Sequence, residues 1–421
     1  MAWPIQISRP LIALTLSLFL AACDWPQQQS QEKATPAPAS IDAQAFAAQA
    51  GLEAYTSLSR ASQSAQVVDS KLASFLYHPN PMTHGELKQA WRQAYDDFLR
   101  AMVFAYLPIQ DPPEWYSKHI AYRDLLTQLD SWPIQGGYID YVPGYPFSGI
   151  VNDLTLIIDE QTLRNQHLFT DNSNASIGYH ALEFMLWGDN GERSPHDFFP
   201  QENTAPVLLN EGEHNHENSE AGLDQGTEPA PEAHAHTEET SQPGMPEPQN
   251  HNRRRQYVQV ISEVLQKDLI RVQRRWEPST GYYAQLIQQS TPDNTLQAAL
   301  IAAQRLISEE ILNKRFTLES SEFSASSARD IEMLLHGLQL WFNPEDDGLQ
   351  EGSLMFLMEQ ASAAKAGAFM KQLEQSQQCL ATLNSDPQKT SVEQCKQQVI
   401  GLLSALQNNA SSLRVALPAL D

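Results

Sequence analysis

Apolar residues recur at a spacing of three to four over 41–77, 83–106, 114–130, 150–165, 176–187, 253–276, 281–316, 326–342 and 349–380. That period predicts helices through nearly the whole body of the chain. Period-two alternation is rare, and at its best instance, Tyr138-Ile-Asp140-Tyr-Val142, an extended loop is expected instead. Pro- and Gly-bearing stops such as Pro79-Asn-Pro81 and Tyr141-Val-Pro-Gly-Tyr-Pro146 fall between the helical stretches. The predicted fold class is therefore all-α, with long helices packed into bundles.

One of these helices carries unusual chemistry. Gly178-Tyr-His180-Ala-Leu-Glu183-Phe-Met-Leu-Trp187-Gly188 sets one imidazole and one carboxylate in an otherwise apolar run. Three residues apart, His180 and Glu183 share a helix face and reach the same ion. Ile177, Leu182, Phe184, Met185, Leu186 and Trp187 cover most of the circumference, which places the helix inside a bundle. A lone carboxylate there is costly. A metal, an arginine or a bound proton has to compensate Glu183. The same spacing also suits a core His and Glu satisfied by hydrogen bonds to Tyr or Arg.

The start of the chain reads as an address. After Arg9, the apolar stretch 10–22 is too short to span a bilayer and has the shape of an export signal. It ends in Leu20-Ala21-Ala22-Cys23, which resembles the bacterial lipobox. Residues 1–22 are thus expected to be a signal peptide and Cys23 a lipidated residue that anchors the chain to a membrane, facing the periplasm. Asp24 resembles an inner-membrane retention signal. Residues 23–40, rich in Gln, Ser, Pro and Ala, read as a flexible tether. The remainder of the chain is long enough for two domain-sized cores, expected at 41–199 and 253–421. Cys379 and Cys395 flank a turn-like break at 383–387 and, in an oxidising compartment, would staple a helical hairpin.

A formal net charge of −24 argues against nucleic-acid binding, which needs a basic face, and suits cations better. Between the two cores, 200–252 has the composition of disorder, rich in Glu, Pro, Asn and Ser. It holds His214-Asn-His216 and His234-Ala-His236 among several glutamates, with His196 before and His251 after. Flexible imidazoles and carboxylates collect divalent cations weakly, because ordering them costs entropy. A solvated insertion without a specific role has the same composition.

Taken together, the motifs resemble the imelysin family of exported bacterial proteins, whose hallmark Gly-x-His-x-x-Glu is matched by Gly178, His180 and Glu183. Trp91-Arg92-x-x-Tyr95 resembles the family's early helix, and Trp132-Pro133 with Gly137-Tyr-Ile-Asp140-Tyr141 resembles its next segment. Arg193 and Asp197, Arg253-Arg-Arg-x-Tyr257, and Phe323 to Ile331 with Gly337 resemble later ones. The resemblance implies two helical bundles related by a pseudo-twofold, with the hallmark near the cleft between them. Where the family commonly has a Glu one turn beyond its early Tyr, Leu99 stands here, and Asp96 and Asp97 lie nearer.

Two functions are implied by the resemblance. In the first, the protein binds a divalent metal, iron ahead of zinc, and assists its uptake together with a transport partner. His180 and Glu183 are then the ligands, Arg92, Tyr95, Asp96 and Asp140 line the cleft, Asp97 is a further ligand candidate, and His214, His216, His234 and His236 gather metal. In the second, it is a metallopeptidase. That chemistry needs about three protein ligands, an open position and a separate base, and the usual His-Glu-x-x-His helix is absent, so the ligand count favours binding over catalysis. A third reading, from another class, is a metal-free interaction scaffold in which the His/Glu pair is a hydrogen-bonded core device.

Overall fold

The computed structural model describes residues 42–107, 122–201, 250–344 and 350–420. Cys23, the stretches 1–22 and 23–40 expected to be signal and tether, and His214, His216, His234 and His236 lie outside the described residues. Among the described residues, no helix is long and apolar enough to cross a membrane.

The chain opens with α1 (Gln44–Tyr77), which buries one apolar stripe, Ala54, Leu58, Ala61, Ala65, Val68 and Leu72. A sharp turn leads to α2 (Pro81–Arg100), which begins with Pro at the first helical position and a reciprocal Asn80/Thr83 cap. Trp91, Ala94, Tyr95 and Phe98, at helical spacing, face inward. A short 3-10 turn (Met102–Ala105) comes after it. Next are α3 (Tyr122–Leu129), α4 (Gly136–Ile139), α5 (Glu160–Gln166) and α6 (Tyr179–Trp187). The second half holds α7 (His251–Arg274), α8 (Tyr282–Gln289) and α9 (Pro292–Arg305), the last running into a π-helical stretch, Leu306–Arg315. The final helices are α10 (Ser327–Phe342), α11 (Leu354–Ser385) and α12 (Val392–Ser412).

Packing is helix on helix throughout. α1 lies along α2 and α7, α11 along α12 and α10, and α10 crosses α2. At that last crossing Gly337 is required, because a Cβ there would stand 2.2 Å from the carbonyl oxygen of Arg100. α7 packs on α1, α3, α5 and α6. Residues 41–421 form one compact unit. Sγ of Cys379 is bonded to Sγ of Cys395, joining α11 to α12 across a separation of 16 residues.

Two expected helices differ. Over 150–165 only α5 is helical. The preceding carbonyls of Ile150, Val151, Asp153 and Leu156 accept hydrogen bonds from the single Arg253 guanidinium, which takes the place of a helix ladder. The expected helix over 281–316 breaks at Thr291-Pro292, where Pro292 lacks an N–H and Thr291 caps a new start.

Candidate functional site

α6 is buried at every position. Gly178 starts it with φ of +100°, and a Cβ there would lie 2.3 Å from the carbonyl oxygen of Gln128. The helix therefore begins pressed against the end of α3, which brings His180 up to Asp130. Gly188, with φ of +71°, ends it by donating its N–H to Phe184. The Trp91 indole donates to the Tyr179 carbonyl at 2.9 Å, and the rings of Trp91, Tyr95 and Trp132 surround the imidazole.

Around His180 the side chains form a closed chain of alternating charge. His180 Nδ1 is 2.7 Å from Glu183 Oε2, and His180 Nε2 is 3.2 Å from Asp130 Oδ1 and 2.9 Å from the Tyr95 hydroxyl. The Tyr95 hydroxyl donates to Asp130 Oδ1 at 2.7 Å. Arg315, on the π-helical stretch, donates to Asp130 Oδ2 at 2.6 Å, to the Tyr95 hydroxyl at 3.1 Å and to Glu310 Oε1 at 2.7 Å. Glu183 Oε1 accepts from the backbone N–H and hydroxyl of Ser324 at 2.8 and 2.6 Å. Asp330 lies 3.7 Å from Arg315 and accepts from Ser320 and Ser321.

Electrostatics follows from that geometry. Burial alone would push the His180 pKa down, but its bonds to Asp130 and Glu183 prevail and lift it to about 9. At neutral pH His180 is an imidazolium that donates from both nitrogens. Burial would raise the Asp130 pKa, yet Arg315 and His180 hold its carboxyl far below the usual range. Burial drives the Tyr95 hydroxyl well above its ordinary value. Asp330 is pushed up to about 6 by burial, against the pull of Arg315.

Of the side chains expected beside His180, Tyr95 and Glu183 are there, while the others are held elsewhere. Asp96 pairs with Arg329 at 2.6 Å, and Asp97 pairs with Arg100 at 2.8 Å. Asp140 is clamped by Arg193 at 2.7 Å and Arg254 at 2.6 Å. Arg92 lies over the Trp187 ring and donates to the Ser324 carbonyl at 3.3 Å. Asp96 and Asp140 are thus each held by a guanidinium, which offsets the cost of burying their charge. Sequence reasoning missed Asp130, Glu310, Arg315 and Ser324. Two signals were at hand, because Asp130 stands just before Trp132-Pro133 and Ser324 belongs to the segment beginning at Phe323.

A bound metal needs donor atoms that converge. Here the two nitrogens of His180 face two different carboxylates on opposite sides of the ring, and Glu183 Oε1 is taken by Ser324. Among the described residues no group of three or more His, Cys, Asp or Glu side chains is arranged to hold a metal ion. The donor set does not fit a resident metal in this arrangement.

Beside the node a cavity of about 490 Å³ opens between the 3-10 turn at Met102–Ala105, α3 and the π-helical stretch. Asp130 and Trp132 wall it on one side, Glu310 and Lys314 on another, and Arg123 and Arg305 also line it. Long π-helical stretches are rare and concentrate at functional sites. The concave shape and mixed polar lining are those of a small-molecule site.

Comparison with known proteins agrees with this architecture. A sequence profile described as Imelysin matches residues 52–415. No curated protein matches the chain. The fold is similar to the crystal structure of a "putative iron-regulated protein A precursor" from Parabacteroides distasonis ATCC 8503. The likeness has a TM-score of 0.59 at 12% sequence identity and covers 90% of this chain and 97% of that one. With the profile spanning nearly all of the described body, the chain belongs to the imelysin family.

Proposed function

We propose that this chain is an exported, lipid-anchored binding protein of the imelysin type, serving iron acquisition at the periplasmic face of the cell membrane. Its ligand enters the cleft over Asp130 and Glu310, and the His180 node is the rigid, charge-balanced wall behind it. One observation carries this reading: the cavity ends on Asp130, whose oxygens are already held by Tyr95, His180 and Arg315. A wall satisfied in this way costs no rearrangement when a ligand arrives. Support for the iron connection comes from the Parabacteroides distasonis protein of similar fold, which is described as iron-regulated. Support for the anchor is the lipobox-like end at Cys23. Peptidase chemistry is the weaker reading, because each ring nitrogen of His180 is engaged by a different carboxylate and Glu183 is bound to Ser324, which leaves neither a metal ligand set nor a free base.

A second reading, a divalent ion bound directly by His180 and Glu183, is favoured by the direct contact of His180 with Glu183 at 2.7 Å on one buried helix face. It requires the imidazolium to lose its proton. Calorimetric titration of the mature chain with Fe(II) and Zn(II), beside His180→Ala/Glu183→Ala and a deletion of 212–248, separates the two. A tight equivalent lost only in the double variant moves the metal onto α6 and ends the cleft reading. Isotherms unaltered in the double variant support it.

A further inference from the structure

The cleft has an imbalance between its donors and acceptors. Its carboxylates are already satisfied: Glu310 Oε1 accepts from Arg315 and Oε2 from the Tyr106 hydroxyl at 2.7 Å, and both oxygens of Glu309 accept from Arg305 at 2.8 and 3.0 Å. Asp130 is saturated by Tyr95 and Arg315. On the donor side the reverse holds. Trp132 is 7% exposed, and its indole N–H has no hydrogen-bond partner among the described residues. Lys314 Nζ sits over the Trp132 ring at 4.3 Å and 3.8 Å from Glu310, too far for a hydrogen bond. Arg123, on α3, is exposed at the rim and has no carboxylate partner among the described residues. The Trp132 indole nitrogen is sealed from the cavity, so Trp132 supplies a ring wall there, while Lys314 and Arg123 supply the charge a ligand can reach.

We infer that the cleft binds a small anion bearing carboxylate groups, met by the Lys314 ammonium and the Arg123 guanidinium beside the Trp132 ring, and that it does not take a bare divalent cation. This rests on the cleft being the binding site proposed above. A guanidinium fork and a nearby ammonium suit carboxylate oxygens. A free cation meets the opposite situation, with the Arg123 and Lys314 charges facing it and carboxylates it must take from Arg305, Arg315, Tyr106 and Lys314. Iron cargo entering here does so as an anionic carboxylate complex, with the anion making the protein contacts.

The test is calorimetric titration of the full mature chain with citrate, succinate, sulfate and, separately, Mn(II). The variants are Arg123→Glu, Lys314→Gln and Trp132→Phe, with Lys389→Glu as a remote control. Arg123 is exposed, so its variant folds even if Trp132→Phe does not. The expected result is a citrate isotherm weakened about tenfold by Arg123→Glu and roughly fivefold by Lys314→Gln, with Trp132→Phe, which keeps a ring wall, and the control unchanged. Absence of binding by all three anions overturns the inference. A citrate isotherm that survives both Arg123→Glu and Lys314→Gln moves binding elsewhere and removes the cleft as the site. Mn(II) binding strengthened by Arg123→Glu keeps the cleft but makes it a cation site.

Discussion

Glu183 Oε2 accepts a hydrogen bond from His180 Nδ1 at 2.7 Å, one turn away on a helix with no exposed residue. Because the imidazolium is tied to two buried carboxylates, its pKa rises from 6.5 to about 9 on folding. A group whose pKa is raised in the folded state contributes stability that is whole below the unfolded value and is lost as pH climbs through the folded one. The contribution here is on the order of 3 kcal/mol. Urea unfolding at a series of pH values should show stability declining between about pH 6.5 and pH 9. In His180→Gln this decline should vanish from that window, and a decline that persists would assign it to another group.

Arg315 answers to three acids, Asp130, Glu310 and Asp330, and is wholly buried. Removing one partner of a buried ion network leaves the others charged and unpaired, at a cost of about 3–5 kcal/mol. Arg315→Met should be destabilised on that scale in denaturant melts. Arg329→Met gives the contrast, since its side chain is 45% exposed though it also pairs with a buried aspartate. Equal losses in the two variants would mean that burial of the cation is not what sets the cost.

The helices were legible because their signal is local, and α6 above all, since two polar residues in an apolar run stand out in nine positions. The partners of those two residues were not legible. Asp130 and Arg315 are separated by 185 residues, and no period in either neighbourhood points to the other. Lys314-Arg315 reads as the basic end of a surface helix, and only the π-helical wind of 306–315 accompanies the turn of Arg315 into the core. The 150–165 stretch misled for a related reason, because its apolar spacing is helical while its carbonyls are claimed by Arg253 from a distant helix. Asp140 was legible as an unusual residue but not as an arginine's partner.

Glycines should separate into two kinds. Gly178→Ala places a Cβ 2.3 Å from the Gln128 carbonyl at a positive φ, so α6 cannot stay seated against α3. We expect a loss above about 3 kcal/mol and disruption of the His180 node. Gly367, exposed within α11, has nothing within 4 Å of its added Cβ. Gly367→Ala should stabilise by up to about 1 kcal/mol through helix propensity alone. Paired thermal melts decide the matter, and a mild Gly178→Ala would show that the close approach of α6 to α3 is dispensable.

The inserted stretch leaves and rejoins the body at a closed neck. Gln201 N–H donates to Asn252 at 3.0 Å, and the Asn252 amide donates back to the Gln201 carbonyl at 2.7 Å. Beside this neck Arg255 binds the carbonyls of Leu76 and Phe198, which places it at the C-terminal end of α1. A helix of 34 residues is about 50 Å long, so the neck lies that far from residue 44, where the segment after Cys23 enters the fold. Because the clasp is made by residues outside 212–248, deleting that stretch should leave the melting temperature within about 2 °C of the parent. If the histidine pairs gather metal, the same deletion should remove several weak Zn(II) equivalents measured by equilibrium dialysis. Unchanged stoichiometry would end the metal-gathering role of His214, His216, His234 and His236. A fall of roughly 10 °C would instead mean that the insertion supports the body by packing against it.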